Sequence, residues 1–458
     1  MGVGVGVGEI HQFVVQAADA MRLNWPPSPE SFQELPRPMS SIVDPAWLQR
    51  ADHQGGLCPR LLFVPELSRE DRPAQLRKFA GAMGFCSNLC GLLALVVAIV
   101  FGYMQTVEYP LGAVFRMMFY VQGYGKPMTE PVPADLTASP RPGSELFLPM
   151  PSGGKMPANG IGMCCRPTAY DEDSVYNSIL WYLLSGGRHI DTAHIYGNHV
   201  PIGKALKEAA KRGVPRSEVF LVTKVWPAAF GYDATMAAVG RMVKQLDVDY
   251  IDLVLLHAPR KISWRMVAAY WGGLNALIGE GDEFSNHDCG DQVTCRKATW
   301  KALSELREQG IIRDAGVSNF RVPQMKELQS LGMAPIAANQ IQFHPWIPDW
   351  QQEIVDFCNA QQIAITAYFS LGGLQSKDKT LQLDDVKAIG KKHSRSSGQV
   401  LLRWALAKNV SIIPGTGNPK HMKENLGIYD FSLSPEEVAK IDALRSHQIA
   451  DDFFFMQF

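Results

Sequence analysis

No charge of one sign dominates this chain: across 458 residues, 44 Lys and Arg nearly cancel 45 Asp and Glu, leaving a formal net charge of −1. No basic run interleaved with aromatics occurs either. Without a positive field or stripe there is no long-range attraction for a phosphate backbone, so no nucleic-acid partner is expected. The eight cysteines, at 58, 86, 90, 164, 165, 289, 295 and 358, contain no CxxC set. That removes the usual ligand spacing of structural zinc, and no metal site is expected. Cys164 and Cys165 sit in what reads as a buried strand, whereas Cys289 and Cys295 lie in a polar loop that suits a disulfide. No GxGxxG follows a strand, and the glycine pair of GIGMCC, Gly160 and Gly162, is not that fingerprint. A Rossmann domain is therefore the weaker reading.

What is present divides the chain into four parts. Residues 1–78 open MGVGVGVG, continue through NWPPSPESFQELPRP and lack amphipathic periodicity, so they read as a low-order arm. The opening misses the myristoylation pattern because position 6 is Gly. Residues 79–104 carry no charge from Gly81 to Tyr103, about 23 residues, against the roughly 20 that a membrane helix needs. A single transmembrane helix is expected there, with a buried core helix as the alternative. Arg69, Arg72, Arg77 and Lys78 precede the run and only Arg116 closely follows it. These flanks favour a cytosolic N-terminus, which conflicts with the usual cytosolic supply of reduced nicotinamide, so the side of the barrel stays open. Residues 105–145 read as a juxtamembrane segment, with Leu111 to Val121 interfacial, followed by a Pro-rich linker.

From residue 146 to 458 the texture changes. Short apolar runs (RHID, VFLVTK, IDLVLLH, IIRDAGVS, PIAANQIQ, IAITAY, VSIIPGT) alternate with amphipathic patterns such as IGKALKEAAKRG and ATMAAVGRMVKQL. That alternation is the signature of parallel strands with crossover helices. About eight strands are enough to close a barrel, so the fold class is α/β, a (β/α)8 TIM barrel. Residues at about 260–297 interrupt the pattern as an inserted loop after a barrel strand, where loops set substrate choice.

Four polar residues stand at or just past successive strand ends: Asp191 after RHI, Tyr196 in DTAHIYGN, Lys224 closing VFLVTK and His257 closing IDLVLLH. Any one alone is more often a satisfied core group. Together, a closed barrel points them into one mouth, where a buried Lys needs a paired Asp. A phenol, an ammonium, a carboxylate and an imidazole suit the reduction of a carbonyl, whose oxygen must take up a proton. The Tyr196 phenol, with an ordinary pKa near 10, is a weak acid, and a neighbouring Lys224 ammonium is expected to lower it. Asp191 would hold the Lys, and His257 would orient the substrate oxygen.

Between about Phe147 and Leu444 the chain resembles the aldo-keto reductases, through GGRHIDTAHIYGN, FLVTKVW, LDVDYIDLVLLHAP, GIIRDAGVSNF, NQIQFHPW, ITAYFSLGG and IIPGTGNPKHMKENL in family order. The resemblance implies Tyr196 as general acid, with Asp191, Lys224 and His257 completing a catalytic tetrad. It implies NADPH as cofactor, with NADH possible. Ser318, Asn319 and Gln340 would hold the nicotinamide carboxamide, Tyr368 would stack on its ring, and Asp191 would lie near the ribose. Leu371 and the glycines after it would approach the pyrophosphate, and Thr416, Glu424 and Asn425 would surround the adenosine. Trp226 and Trp346 would wall the substrate pocket, core packing being their alternative. Three departures stand out. Gly415 and His421 replace cations that many members use for the 2′-phosphate, Ala258 replaces a Trp, and His199 replaces a Glu. Phe453, Phe454 and Phe455 stand where the family's C-terminal loop closes the pocket.

The expected protein is thus an NAD(P)H-dependent reductase of small aldehydes or ketones, with a monomeric barrel on a single-pass membrane anchor. The alternative is a nicotinamide-binding regulatory subunit of a membrane complex, with little or no turnover.

Overall fold

The computed structural model describes residues 129–260, 289–373 and 377–444. The expected membrane segment at 79–104, the arm before it, most of the inserted loop (261–288) and Phe453 to Phe455 lie outside the described residues. Among the described residues, no helix is long and apolar enough to cross a membrane.

A short antiparallel hairpin, β1 (Phe147–Pro149) and β2 (Lys155–Pro157), comes first and buries Leu148 and Met156 in the core. Eight parallel strands follow, neighbouring one another in chain order: β3 (Ile161–Gly162), β4 (His189–Asp191), β5 (Phe220–Val225), β6 (Ile251–Leu256), β7 (Ile312–Ser318), β8 (Ala338–Gln342), β9 (Ala364–Tyr368) and β10 (Ser411–Ile412). The two ends of that row meet. The Gly160 N–H donates to the Ile412 carbonyl at 2.8 Å, and the Ile412 N–H donates to the Ala158 carbonyl at 2.9 Å. A sheet joined to itself in this way leaves no free edge.

The strands are apolar because both their faces are covered. All of β6 (IDLVLL) is buried, as is all of β5 (FLVTKV) but its first residue. The crossover helices bury one stripe each. In α2 (His199–Lys211), Ile202, Ala205, Leu206 and Ala209 turn inward at helical spacing, while Lys204 and Lys207 are exposed. Local signals start the helices. Asp171 accepts the Ser174 N–H to begin α1 (Glu172–Leu184), and Ser396 with Gln399 forms a capping box on the helix Ser397–Ala407.

Three segments depart from the expectations. The strand in GIGMCC ends at Gly162, and Cys164 and Cys165 stand beyond it, half-buried and bonded to each other. Cys165 has φ of +63°, a left-handed turn that no extended strand accommodates. The second bond joins Cys289 to Cys295. It brackets the start of a helix, Gln292–Glu308, which takes up the end of the region read as inserted loop, with Asp291 accepting the Thr294 N–H as its cap.

The Pro-rich segment from Thr129 onward packs on the barrel instead of spanning away from it. Thr129 is buried, with its hydroxyl 2.9 Å from that of Ser178, and the Ser139 N–H donates to the Leu184 carbonyl at 2.8 Å. Val132, Leu136 and Ala138 supply the apolar contacts. Prolines favour this extended path, and its backbone groups find partners on α1 and α2.

Candidate active site

The strand ends bring the predicted polar residues together. Lys224, fully buried on β5, donates from Nζ to Asp191 Oδ1 at 2.7 Å and to the Thr192 carbonyl at 2.9 Å. The second oxygen of that carboxylate, Oδ2, accepts from Gln340 Nε2 at 2.7 Å. An ammonium in so dry a place is tolerable because a carboxylate faces it and carbonyl and amide groups complete the shell. Burial lowers the Lys224 pKa, with the Asp191 carboxylate opposing that shift.

Tyr196 follows β4 in a single 3-10 turn, His194–Tyr196, which ends at left-handed Gly197. Its ring lies 5.4 Å from Lys224 Nζ and 5.7 Å, edge-on, from the ring of His257. Trp226, half-buried just past β5, meets His257 edge-on at 5.2 Å. His257 closes β6. Its imidazole is buried, its Nδ1 has no partner, and burial together with the Lys224 charge holds its pKa well below the usual value. At neutral pH that ring is uncharged and offers one N–H to a ligand.

The Tyr196 hydroxyl departs from expectation. Its pKa is raised well above the ordinary value, first by burial, then by the Asp191 charge and by Tyr170 and Tyr368. Burial and the Asp191 carboxylate outweigh the anticipated lowering by Lys224, whose ammonium is paired with that carboxylate. The phenol therefore holds its proton at neutral pH.

A second cluster lines the next strands. Ser318 at the end of β7 donates to the Gln340 carbonyl at 2.9 Å. Asn319 takes the left-handed conformation, φ +63°, and donates from Nδ2 to the His257 carbonyl at 3.0 Å. Tyr368, ending β9, donates from its hydroxyl to Asn319 Oδ1 at 2.8 Å. The hydroxyl and two amides thus form one network with the His257 backbone and, through Gln340, with Asp191. Hydroxyl and amide groups match the donor and acceptor pattern of a primary carboxamide. Just after β9, Gly372 and Gly373 both have φ near +100°, and a Cβ on Gly373 would meet nothing within 4 Å. That bare, open backbone is what a bulky polyanion needs for close approach. Both observations fit a nicotinamide dinucleotide.

The other predicted residues lie apart from this network. Leu371 is half-buried, with its carbonyl accepting from Thr380 Oγ1 at 2.6 Å. Thr416 accepts the Asn418 N–H at 3.0 Å before the helix Pro419–Leu426. On that helix the carbonyls of Glu424 and Asn425 accept from Gln399 and Asn159. Trp346 is buried beside His344, with ring centroids 5.7 Å apart. His199 points away from the mouth, where it bonds Thr223 at 2.9 Å and Gln245 at 3.3 Å. Sequence reasoning passed over Tyr170 and Arg166, which approach the site from the loop after β3. Nothing in RPTAY marks them, because only the turn at Cys165 brings them round.

Comparison with known proteins identifies relatives of the barrel. The profile of the Aldo/keto reductase family matches residues 158–446. The chain is 34% identical over 305 residues to aldo-keto reductase family 1 member A1 of Cricetulus griseus, covering 65% of this chain and 88% of the relative. It is also 34% identical over 291 residues to the 9,11-endoperoxide prostaglandin H2 reductase of Trypanosoma cruzi, covering 63% and 88%. Among solved structures, a Bombyx mori aldo-keto reductase in complex with NADP superimposes with a TM-score of 0.57 at 27% identity, covering 69% of this chain and 96% of that one.

Proposed function

The chain belongs to the aldo/keto reductase family, and from that premise we propose that it reduces aldehydes or ketones with NADPH, Tyr196 supplying the proton. The observation that carries the proposal is the convergence of Tyr196, Lys224, Asp191 and His257 in one mouth, with the Lys224–Asp191 contact at 2.7 Å. Ser318, Asn319 and Gln340 would hold the carboxamide of the cofactor, Tyr368 would face its ring, Leu371 and the two glycines would meet the pyrophosphate, and Thr416, Glu424 and Asn425 the adenosine end. When bound, the reduced nicotinamide supplies the hydride.

The chain's own residues do the rest. The neutral His257 ring donates an N–H to the carbonyl oxygen and fixes its direction. Tyr196 arrives protonated, because burial and Asp191 oppose phenolate. As charge develops on the substrate oxygen, that oxygen becomes a stronger base than a phenolate and takes the Tyr196 proton. Lys224 then lies near enough to steady the phenolate until solvent reprotonates it. Trp226, edge-on to His257, supports a role as an apolar wall beside the reacting carbon. The uncharged run from Gly81 to Tyr103 supports a membrane tether, tested by protease protection in sealed vesicles; equal digestion with and without detergent, and release by carbonate, would reject it.

The test of the activity is NADPH oxidation by the full chain with a panel of aldehydes and ketones, beside Tyr196→Phe. Loss of turnover by about 10²–10⁴-fold with cofactor affinity intact is expected for a missing proton donor. Cofactor binding with no turnover on any carbonyl would instead favour the regulatory-subunit reading.

A further inference from the structure

The loop after β3 carries a charge that the tetrad does not use. Arg166 is half-buried, and burial pushes its guanidinium down to about 10, still protonated at neutral pH. Its hydrogen-bond partners among the described residues are all neutral. Its Nε donates to Thr168 Oγ1 at 3.0 Å, its Nη1 donates to the carbonyls of Gly162 and Cys164, and its Nη2 donates to the Met163 thioether at 3.2 Å. A thioether is among the weakest acceptors a protein offers. Among the described residues no carboxylate pairs with this cation. A partly desolvated charge without a counter-ion is costly, and an anion from outside would offset that cost.

The position of the guanidinium indicates which anion. The left-handed turn at Cys165, held by the Cys165 N–H on the Tyr170 hydroxyl at 3.1 Å, folds Arg166 back across the end of the barrel. There it reaches the segment just after the last strand: a Cβ on Gly415 would lie 2.5 Å from Arg166 Nη1 and 3.1 Å from the Gly162 carbonyl. A side chain at 415 would oblige this guanidinium to shift, and the exposed glycine leaves the space to the arginine. The same end of the barrel holds the tetrad, since the Met163 N–H donates to the Asp191 carbonyl at 2.8 Å. Tyr170 is the link, interacting electrostatically with both Arg166 and Tyr196.

We propose that Arg166 is the phosphate-recognising residue of this mouth, seated over Gly415 to bind a phosphate group of the dinucleotide. This rests on the cofactor reading above. The Arg166 guanidinium stays charged at neutral pH, and the weak thioether contact leaves Nη2 as the donor a phosphate oxygen most readily takes over. Two sources share this chemistry, the pyrophosphate common to both nicotinamide cofactors and the 2′-phosphate that only NADPH carries.

Titration of the full chain with NADPH and with NADH, followed by quenching of tryptophan fluorescence, tests the assignment in the wild type, Arg166→Met and Arg166→Lys. Arg166→Met keeps the apolar stem and removes the charge, and it should raise the Kd for NADPH at least tenfold. An unchanged Kd for NADH would assign the contact to the 2′-phosphate, and a parallel rise would assign it to the pyrophosphate. Arg166→Lys, which keeps the charge without the fork, should retain part of the affinity. In the double variant Arg166→Met with Gly415→Lys, a cation returns to the vacated space, and NADPH affinity should recover. Kd values for both cofactors within twofold of wild type in a folded Arg166→Met protein would overturn the assignment. If the wild type bound neither cofactor, the underlying cofactor reading would fail along with it, a result distinguishable from the first.

Discussion

Replacing Lys224 by Met tests the centre of the site most sharply. The Lys224 and Asp191 side chains are 1% and 3% exposed and 2.7 Å apart. Removing one member of so buried a pair strands the other charge, which costs about 3–5 kcal/mol. Gln340 still donates to Asp191 Oδ2, so the lower end of that range applies, about 3 kcal/mol. The double variant Lys224→Met with Asp191→Asn removes both charges. It should recover most of the loss while leaving carbonyl reduction at the background of the single variant. Urea denaturation followed by far-UV circular dichroism gives both stabilities, and NADPH oxidation gives the activities. A single variant destabilised by less than about 1 kcal/mol would refute the reasoning, because solvent-exposed pairs give values that small. So would a double variant no more stable than the single one, since the cost would then not arise from the stranded charge.

Other outcomes follow from buried titratable groups and from the cysteines. Burial depresses the pKa of His189, His194 and His344 to about 4 and of His199 to about 3. Below their ordinary value near 6.5 the unfolded chain binds these protons and the folded chain does not, so stability is complete above that pH and falls as pH drops towards 4. Each fully depressed histidine contributes up to about 1.4 kcal/mol per pH unit in that window. Urea midpoints at pH 7, 6 and 5 should fall steadily, and a flat series would contradict the burial of these rings. Non-reducing peptide mapping should recover Cys164–Cys165 and Cys289–Cys295 as linked pairs, with Cys358 labelled by alkylating reagents only after unfolding. Rapid labelling of Cys289 in the native protein would reject the second bond.

Much of the barrel is legible in the linear chain because its signals are local. Apolar runs such as FLVTKV and IDLVLL mark strands covered on both faces, and a polar residue that ends such a run must emerge at the mouth. Asp191, Lys224 and His257 are found by that rule alone, and Tyr196 follows one turn after the first of them. The two-residue strands β3 and β10 are harder to bound, because runs so short carry no period and the turn at Cys165 leaves no mark in GIGMCC. The docking of Thr129 to Glu145 is equally hidden, since a Pro-rich composition describes a free spacer and a strap against a barrel alike.

The sequence by itself determined the alternation of strands and helices, and with it which side chains reach the end of the barrel. Tertiary structure decided how those side chains are shared. Gln340 bonds Asp191 across 149 residues of chain, and that bond, with the Lys224 contact, occupies both carboxylate oxygens. Lys224 is consequently committed to Asp191, and burial, which no sequence pattern reports, turns the Tyr196 pKa upward instead of down. Closure sets the first strand beside the last, so Arg166 comes to fill the space over Gly415. Hydrogen bonds and desolvation act over a few ångströms, and only the closed sheet brings residues so distant in the chain within that range.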